Sequence, residues 1–364
     1  MDRQSNKKSN RGLMIVLVIF AVIGVISVVY LGIKCTMSLI NKAGQPDEVA
    51  VIEISEPDLS AEMMEKLNPD TIEESVTENS DATATEDKNP ADMTQMADVN
   101  IPKVQVSNNR DDATHEDGKM NMVFLGDSML DNFRDSTGIA YLVGTAFDAN
   151  IYNLGVGGMA ASCSRTTTAF GDSEFTDFCG ITIAKIIAGK IDVNVLPDCT
   201  AKTILTQHMD EIRAADVIFV EYGINDFLSG REQNNPDDHN DYRTYQGALI
   251  SIFNSLKEAC PNAKIVMCAP SYVEFYRDNG EYIGNSYTLN NGLGTEEDFG
   301  RKAEYVTGKF ENTWFYPLAD QGIDLDNSYE TMLDDVHLNE RGRAIYSENL
   351  IRFVESNEIA VRVN

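Results

Sequence analysis

Five short apolar runs, spaced by segments of helical period, limit what this chain can fold into more than any other feature. The runs are "MNMVFL" before Gly126, "ANIYNLG" (149–155), "ADVIFVEYG" (215–223), "AKIVMCAP" (263–270) and "NTWFYPL" (312–318). Several are nearly continuous in apolar character, as expected of parallel strands covered on both faces. Helical patterns occupy 200–216, 245–261 (stopping at Pro261) and 339–356. Strands alternating with helices predict a parallel sheet with helices on both sides. Such sheets bind ligands outside the carboxyl ends of their strands, so the polar residues there are the functional candidates.

Two segments precede this pattern. Residues 12–33, "GLMIVLVIFAVIGVISVVYLGI", contain no charge. As a helix they would reach about 33 Å, enough to cross a hydrocarbon core of about 30 Å. The stretch is longer than a signal-peptide core and no small-x-small cleavage site follows it, so it reads as an uncleaved anchor. Arg3, Lys7, Lys8 and Arg11 before the span keep residues 1–11 in the cytoplasm and send the remainder outside. Residues 34–118 read as a linker. Within 44–118 there are 20 acids, 4 bases and no Phe, Tyr, Trp or Cys, a composition that cannot offset chain entropy by burial and predicts disorder.

Residues 119–364 read as one α/β domain. Of the formal charge of −29, this domain holds −18, which excludes nucleic acid and anionic head groups as expected partners. Five cysteines lie in it, at 163, 179, 199, 260 and 268. Export permits disulfides, and Cys163, Cys179 and Cys199 share one loop-rich segment, but spacing does not specify a pair and fits no zinc pattern.

The strand ends carry a distinctive set: Gly126-Asp127-Ser128 after the first run, Asn153, Gly155, Gly157 and Gly158 after the second, Gly223, Asn225 and Asp226 after the third, and Asp334 and His337 after the fifth. In this order the blocks Gly-Asp-Ser, Asn-x-Gly-x-x-Gly, Gly-x-Asn-Asp and Asp-x-x-His resemble the SGNH (GDSL-type) hydrolase superfamily over about 120–355. That resemblance implies a flavodoxin-like three-layer α/β/α sandwich around a five-stranded parallel sheet, and a serine esterase acting without metal or cofactor. It also implies roles. Ser128 is the nucleophile, His337 its base and Asp334, rather than the adjacent Asp335, the orienting carboxylate. The N–H groups of Ser128 and Gly155 and the amide of Asn225 form the oxyanion hole.

Gly-Asp-Ser recurs at Gly171-Asp172-Ser173. Ser173 follows no convincing strand and comes after the glycine block, so it reads as a surface hydroxyl, and Ser128 as the reactive one. His115 and His239 read as solvated and His208 as a packing or surface residue. The acidic clusters at 236–241 and 323–327 lack the spacing of a calcium loop. Insertions over 156–214 and 271–311 leave the carboxyl edge of the sheet and should wall the site. The second contains Tyr272, Phe275, Tyr276, Tyr282 and Tyr287 with Asn285, Asn290 and Asn291, suited either to an acylated sugar or to a small satellite core. The expected protein is a membrane-anchored, extracytoplasmic esterase on acyl esters, acetyl groups of a cell-envelope glycan first among them. The rivals are an O-acyltransferase using the same serine and a surface binding protein with a relic site.

Overall fold

The computed structural model describes residues 118–277 and 279–362. The cytoplasmic segment, the span and, apart from Gly118, the linker expected from the sequence lie outside the described residues. Among the described residues no helix is long and apolar enough to cross a membrane.

In chain order the sheet strands are β1 (Asn121–Gly126), β2 (Asn150–Asn153), β3 (Val217–Glu221), β4 (Lys264–Cys268) and β7 (Thr313–Tyr316), with β5 (Glu274–Tyr276) and β6 (Tyr282–Asn285) forming a separate antiparallel hairpin. The main sheet is parallel in the order β2-β1-β3-β4-β7, the flavodoxin-like arrangement. All five apolar runs are strands of this sheet.

Side-chain alternation along the strands supplies two cores. Val123, Leu125, Ile218, Val220, Ile265 and Met267 face one layer; Met122, Phe124, Val217, Phe219, Val266 and Cys268 face the other. The first is covered by α3 (Gly180–Ile187), α7 (Tyr245–Ala259) and α8 (Glu296–Thr307), the second by α2 (Ile139–Ala146) and α10 (Glu340–Ser356). Shorter helices lie at the strand ends: α1 (Ser128–Asp131), α6 (Ile224–Leu228) and α9 (Ser328–Thr331).

The pattern over 200–216 becomes two helices, α4 (Thr200–Gln207) and α5 (Met209–Arg213). His208, with φ −130° and ψ 30°, breaks the run, yet Ala201, Leu205 and Ile212 are all buried in one core, so the helical period continues across the break. No disulfide forms among the described cysteines, and Cys163, Cys179, Cys260 and Cys268 are buried.

Candidate active site

The first strand stops where it does because of what lies beside it. Gly126 pairs with Glu221 across β1 and β3, and a Cβ there would sit 2.6 Å from the Glu221 carbonyl oxygen. Only glycine allows that approach. Asp127 follows as the N-cap of α1, its Oδ1 accepting the Met129 N–H at 3.0 Å. This cap places Ser128 at the head of α1, at the carboxyl end of the sheet.

The loop between α9 and α10 brings up the other groups. His337 Nε2 lies 2.9 Å from Ser128 Oγ, and His337 Nδ1 lies 2.8 Å from Asp334 Oδ2. Asp334 is held in turn: its Oδ1 accepts the N–H of Val336 at 2.8 Å and of His337 at 2.6 Å. A carboxylate facing Nδ1 requires the ring proton there, which leaves the Nε2 lone pair to receive the serine proton. Burial raises the Asp334 carboxyl, but the imidazole and the two N–H groups outweigh it and hold the acid down at about 2. Asp335 makes no hydrogen bond to the imidazole; instead its carbonyl accepts the N–H of Glu274 at 2.9 Å, so hairpin β5–β6 braces this loop.

The expected oxyanion donors stand differently. The Gly155 N–H donates to Asn153 Oδ1 at 2.9 Å, and a Cβ on Gly155 would meet Leu130 Cβ at 2.7 Å and Asp131 N at 3.0 Å. This glycine therefore permits close packing against α1 rather than close approach of a substrate. Its carbonyl accepts from Arg134 Nη2 at 2.5 Å. Gly158, in the same turn, has φ +71° and open space where a Cβ would point. Asn225 Nδ2 donates to Asp127 Oδ2 at 2.9 Å, and more weakly, at 3.3 Å, to the carbonyl of Met159, which places this turn beside Asn225. Asp226 is fully buried and binds the loop that follows the glycine turn: it accepts the N–H groups of Ala161 (2.8 Å) and Ser162 (3.0 Å) and the Ser162 hydroxyl (2.6 Å).

Beside Ser128 is a small recess of about 160 Å³, open mouth included, lined by Ser128, Met129, Asn132, Phe133, His337, Leu338 and Arg343. The Arg343 guanidinium stacks 3.4 Å from the Phe133 ring centroid and donates to the carbonyls of Thr137 (2.9 Å) and Leu338 (2.7 Å), fixing one wall.

The remaining candidates are elsewhere. Ser173 is exposed on a surface turn, and the neighbouring Asp172 pairs at 2.6 Å with Lys185, a buried lysine enclosed by Phe175 and Tyr242. The second Gly-Asp-Ser is thus one end of an ion pair. His208 packs against Tyr152 at 5.5 Å, and His239 Nδ1 lies 3.1 Å from Gln246 Nε2. In the 236–241 cluster, Asp241 is taken by Arg243 and Asn235. No group of His, Cys, Asp or Glu side chains suited to a metal ion occurs among the described residues. In the 271–311 insertion, Tyr272 and Phe275 are buried, but each joins one of the two main cores, Phe275 against Phe227, rather than a separate satellite core; Tyr282 and Tyr287 are exposed.

Sequence reasoning passed over Asp127, Glu221, Asn153 and Arg343 as contributors to this geometry. The sequence did signal Asp127 and Asn153, as members of the quoted blocks; Glu221 shows only as an acid in an otherwise apolar strand.

The sequence profile of the GDSL-like lipase/acylhydrolase family matches residues 122–350. No curated protein sequence matches the chain. Solved structures similar to it include a protein from Lactobacillus plantarum (17% identity over 65% of this chain and 97% of that one, TM-score 0.46). Others are a possible lipase from Chitinophaga pinensis (18%, 66% and 100%, TM-score 0.44) and a salicylyl-acyltransferase from a tetracycline biosynthetic pathway (15%, 66% and 55%, TM-score 0.42). With its profile spanning both the Gly-Asp-Ser turn and the Asp-x-x-His loop, the chain belongs to the GDSL-like lipase/acylhydrolase family and is a carboxylic ester hydrolase.

Proposed function

We propose that this chain removes short acyl groups, acetyl first among them, from a cell-envelope glycan, acting outside the cell on a membrane tether. The observation that carries the chemistry is the continuous relay from Ser128 Oγ through His337 to Asp334, with spacings of 2.9 and 2.8 Å. Ser128 Oγ bonds to the ester carbonyl carbon while its proton passes to His337 Nε2. The N–H of Ser128, the Asn225 amide and the N–H of Gly158 receive the oxyanion, Gly158 taking the place expected of Gly155 because the Gly155 N–H is already engaged. The intermediate collapses, the alcohol leaves with the proton from His337, and an acyl-serine remains. Water, deprotonated by the same imidazole, then releases the acid and restores Ser128.

The short acyl group is supported by how little room the recess beside Ser128 leaves between Phe133, Leu338 and the Arg343 guanidinium. The location is supported by the uncharged 12–33 stretch, the basic flank before it and the acidic 34–118 segment after it. Residues 1–11 are then cytoplasmic and 119–364 external. A sugar hydroxyl replacing water in the second half-reaction would make the enzyme an O-acyltransferase.

Incubating the chain with acetylated glycan and analysing products tests the reading: free acetate is expected, whereas acetyl moved quantitatively to an acceptor would select transfer. Protease added to intact cells is expected to cut within 34–118 and release the domain; a domain protected until lysis would refute the topology.

A further inference from the structure

Beneath the nucleophile lie two carboxyl groups that the mechanism above does not use. Asp127 is 0% exposed and Glu221 3%. Asp127 has a donor on each oxygen, the Met129 N–H on Oδ1 and the Asn225 amide on Oδ2, and keeps lone pairs for a further one. Glu221 faces the N–H and carboxyl of Asp127, yet neither of its oxygens is in hydrogen-bonding geometry with an N–H or hydroxyl donor among the described residues. Gly126 brings the two together, since the space a Cβ would fill there is taken by Glu221, whose Oε2 lies 3.2 Å from that position.

The surroundings supply little positive charge. Glu296 (α8), Tyr245 (α7), Tyr346 (α10), Cys268 (β4) and Tyr222 stand around Glu221, and the basic group acting on Asp127 is His337. Two facing carboxylates in a dry interior repel strongly and do not both ionise. The hydrogen bonds decide which keeps the proton. Asp127 accepts two N–H donors, an arrangement that favours its anion; Glu221 accepts none. Burial pushes Glu221 well above the usual carboxylate range, and Asp127 only to about 6.

We propose that Glu221 is a positioning residue: it remains a neutral acid and donates its proton to the Asp127 carboxylate, which in turn anchors one N–H of the Asn225 amide at 2.9 Å, so that the other, which at rest donates only weakly to the Met159 carbonyl at 3.3 Å, turns to the oxyanion. This inference rests on the reading of Asn225 as an oxyanion donor. With Asp127 an anion, the amide nitrogen of Asn225 must face it; with Asp127 a donor, the amide would flip and present its oxygen to the developing negative charge.

The test combines spectroscopy with two substitutions. Infrared titration of the intact wild-type chain should show the carbonyl band of a buried, protonated carboxylic acid at pH 9.5, where Glu296, raised by burial to about 8, is ionised. That band should vanish in Glu221→Gln and persist in Glu296→Gln. Its absence from the wild type, or its loss only in Glu296→Gln, would overturn the assignment whether or not any variant is active. In kinetics, Glu221→Gln keeps a donor toward Asp127 and should stay within a few-fold of wild-type kcat. Glu221→Met removes the donor and should lower kcat at nearly constant KM, by less than the roughly 10²–10³-fold that deleting an oxyanion donor costs. A purely structural role predicts the reverse order, because methionine suits an apolar site better than a glutamine with unmet hydrogen bonds; that order would overturn the proposal. If the wild type proves inactive on every ester while the infrared result holds, the protonated pair stands and the functional reading alone fails.

Discussion

Replacing Asp334 with asparagine tests the relay at a point where the structure dictates the outcome. Asp334 Oδ1 is held by two backbone N–H groups, from Val336 and His337, and Oδ2 faces His337 Nδ1. An asparagine keeps its oxygen on the two N–H groups, so its NH₂ must face the imidazole. Nδ1 then becomes the acceptor and the ring proton moves to Nε2, the nitrogen 2.9 Å from Ser128 Oγ. A protonated Nε2 cannot take the serine proton. In serine proteases of the trypsin type the equivalent change lowers kcat about 10⁴-fold, or roughly 5 kcal/mol of barrier. A loss of that order in kcat, with little change in KM, is expected here. ¹⁵N NMR of the imidazole should show the proton on Nδ1 in the wild type and on Nε2 in Asp334→Asn. Loss of activity without the tautomer change would refute the reasoning, and so would the tautomer change without loss. Asp335→Asn should be mild, since its carboxyl makes no bond to the ring.

Other outcomes follow from the same geometry. Ser128→Ala should abolish turnover with the melting temperature nearly unchanged, Ser173→Ala should be almost silent, and a fluorophosphonate should label Ser128 alone, as read by peptide mass spectrometry. The pH profile of kcat/KM should fall on the acid side more steeply than one proton allows. Activity needs both a neutral His337 imidazole and an ionised Asp127, and burial pushes Asp127 up to about 6, so two protonations rather than one switch the enzyme off. A slope of one proton would remove Asp127 from the mechanism. Glu296 is fully buried, and burial lifts its carboxyl from 4.5 to about 8. A raised acid stabilises the fold fully below its unfolded value and loses that contribution as pH rises through the folded one. Wild-type stability from denaturant titration should therefore decline between pH 4.5 and 8, by an amount on the order of 4–5 kcal/mol from this group. Glu296→Gln should lessen the decline, leaving the share that Asp127 and Glu221, also raised by burial, contribute; an unchanged decline would show that Glu296 does not cause it.

The layout of the domain was legible because buried parallel strands leave continuous apolar runs, and all five runs became sheet strands. Hairpin β5–β6 was not legible: its strands have 3 and 4 residues, too few for a period to show. The break at His208 was hidden because both flanking helices bury the same face. At the site, residue types read in order singled out Ser128, Asn225, Asp334 and His337, which the fold brings together, while the Gly155 N–H, expected from the resemblance to face the oxyanion, is directed at Asn153 Oδ1. Gly155 and Gly158 look equivalent in a string of letters. Only the backbone shows one N–H directed at Asn153 and the other glycine facing open space. Glu221 was passed over because an acid in a strand has meaning only once its neighbour is known.

The hydrogen bond between Ser128 and His337 joins residues 209 positions apart, from the first described helix to the turn before the last. Such contacts close large loops and form late. A chain emerging N-terminus first exposes its serine long before its histidine exists, and the two meet only when α10 docks beside α2. Until then the serine has no base and is chemically idle. Ester hydrolysis in this protein is therefore also a report of completed folding, and a chain truncated ahead of residue 337 should bind nothing covalently and hydrolyse nothing, however well its first strands have assembled.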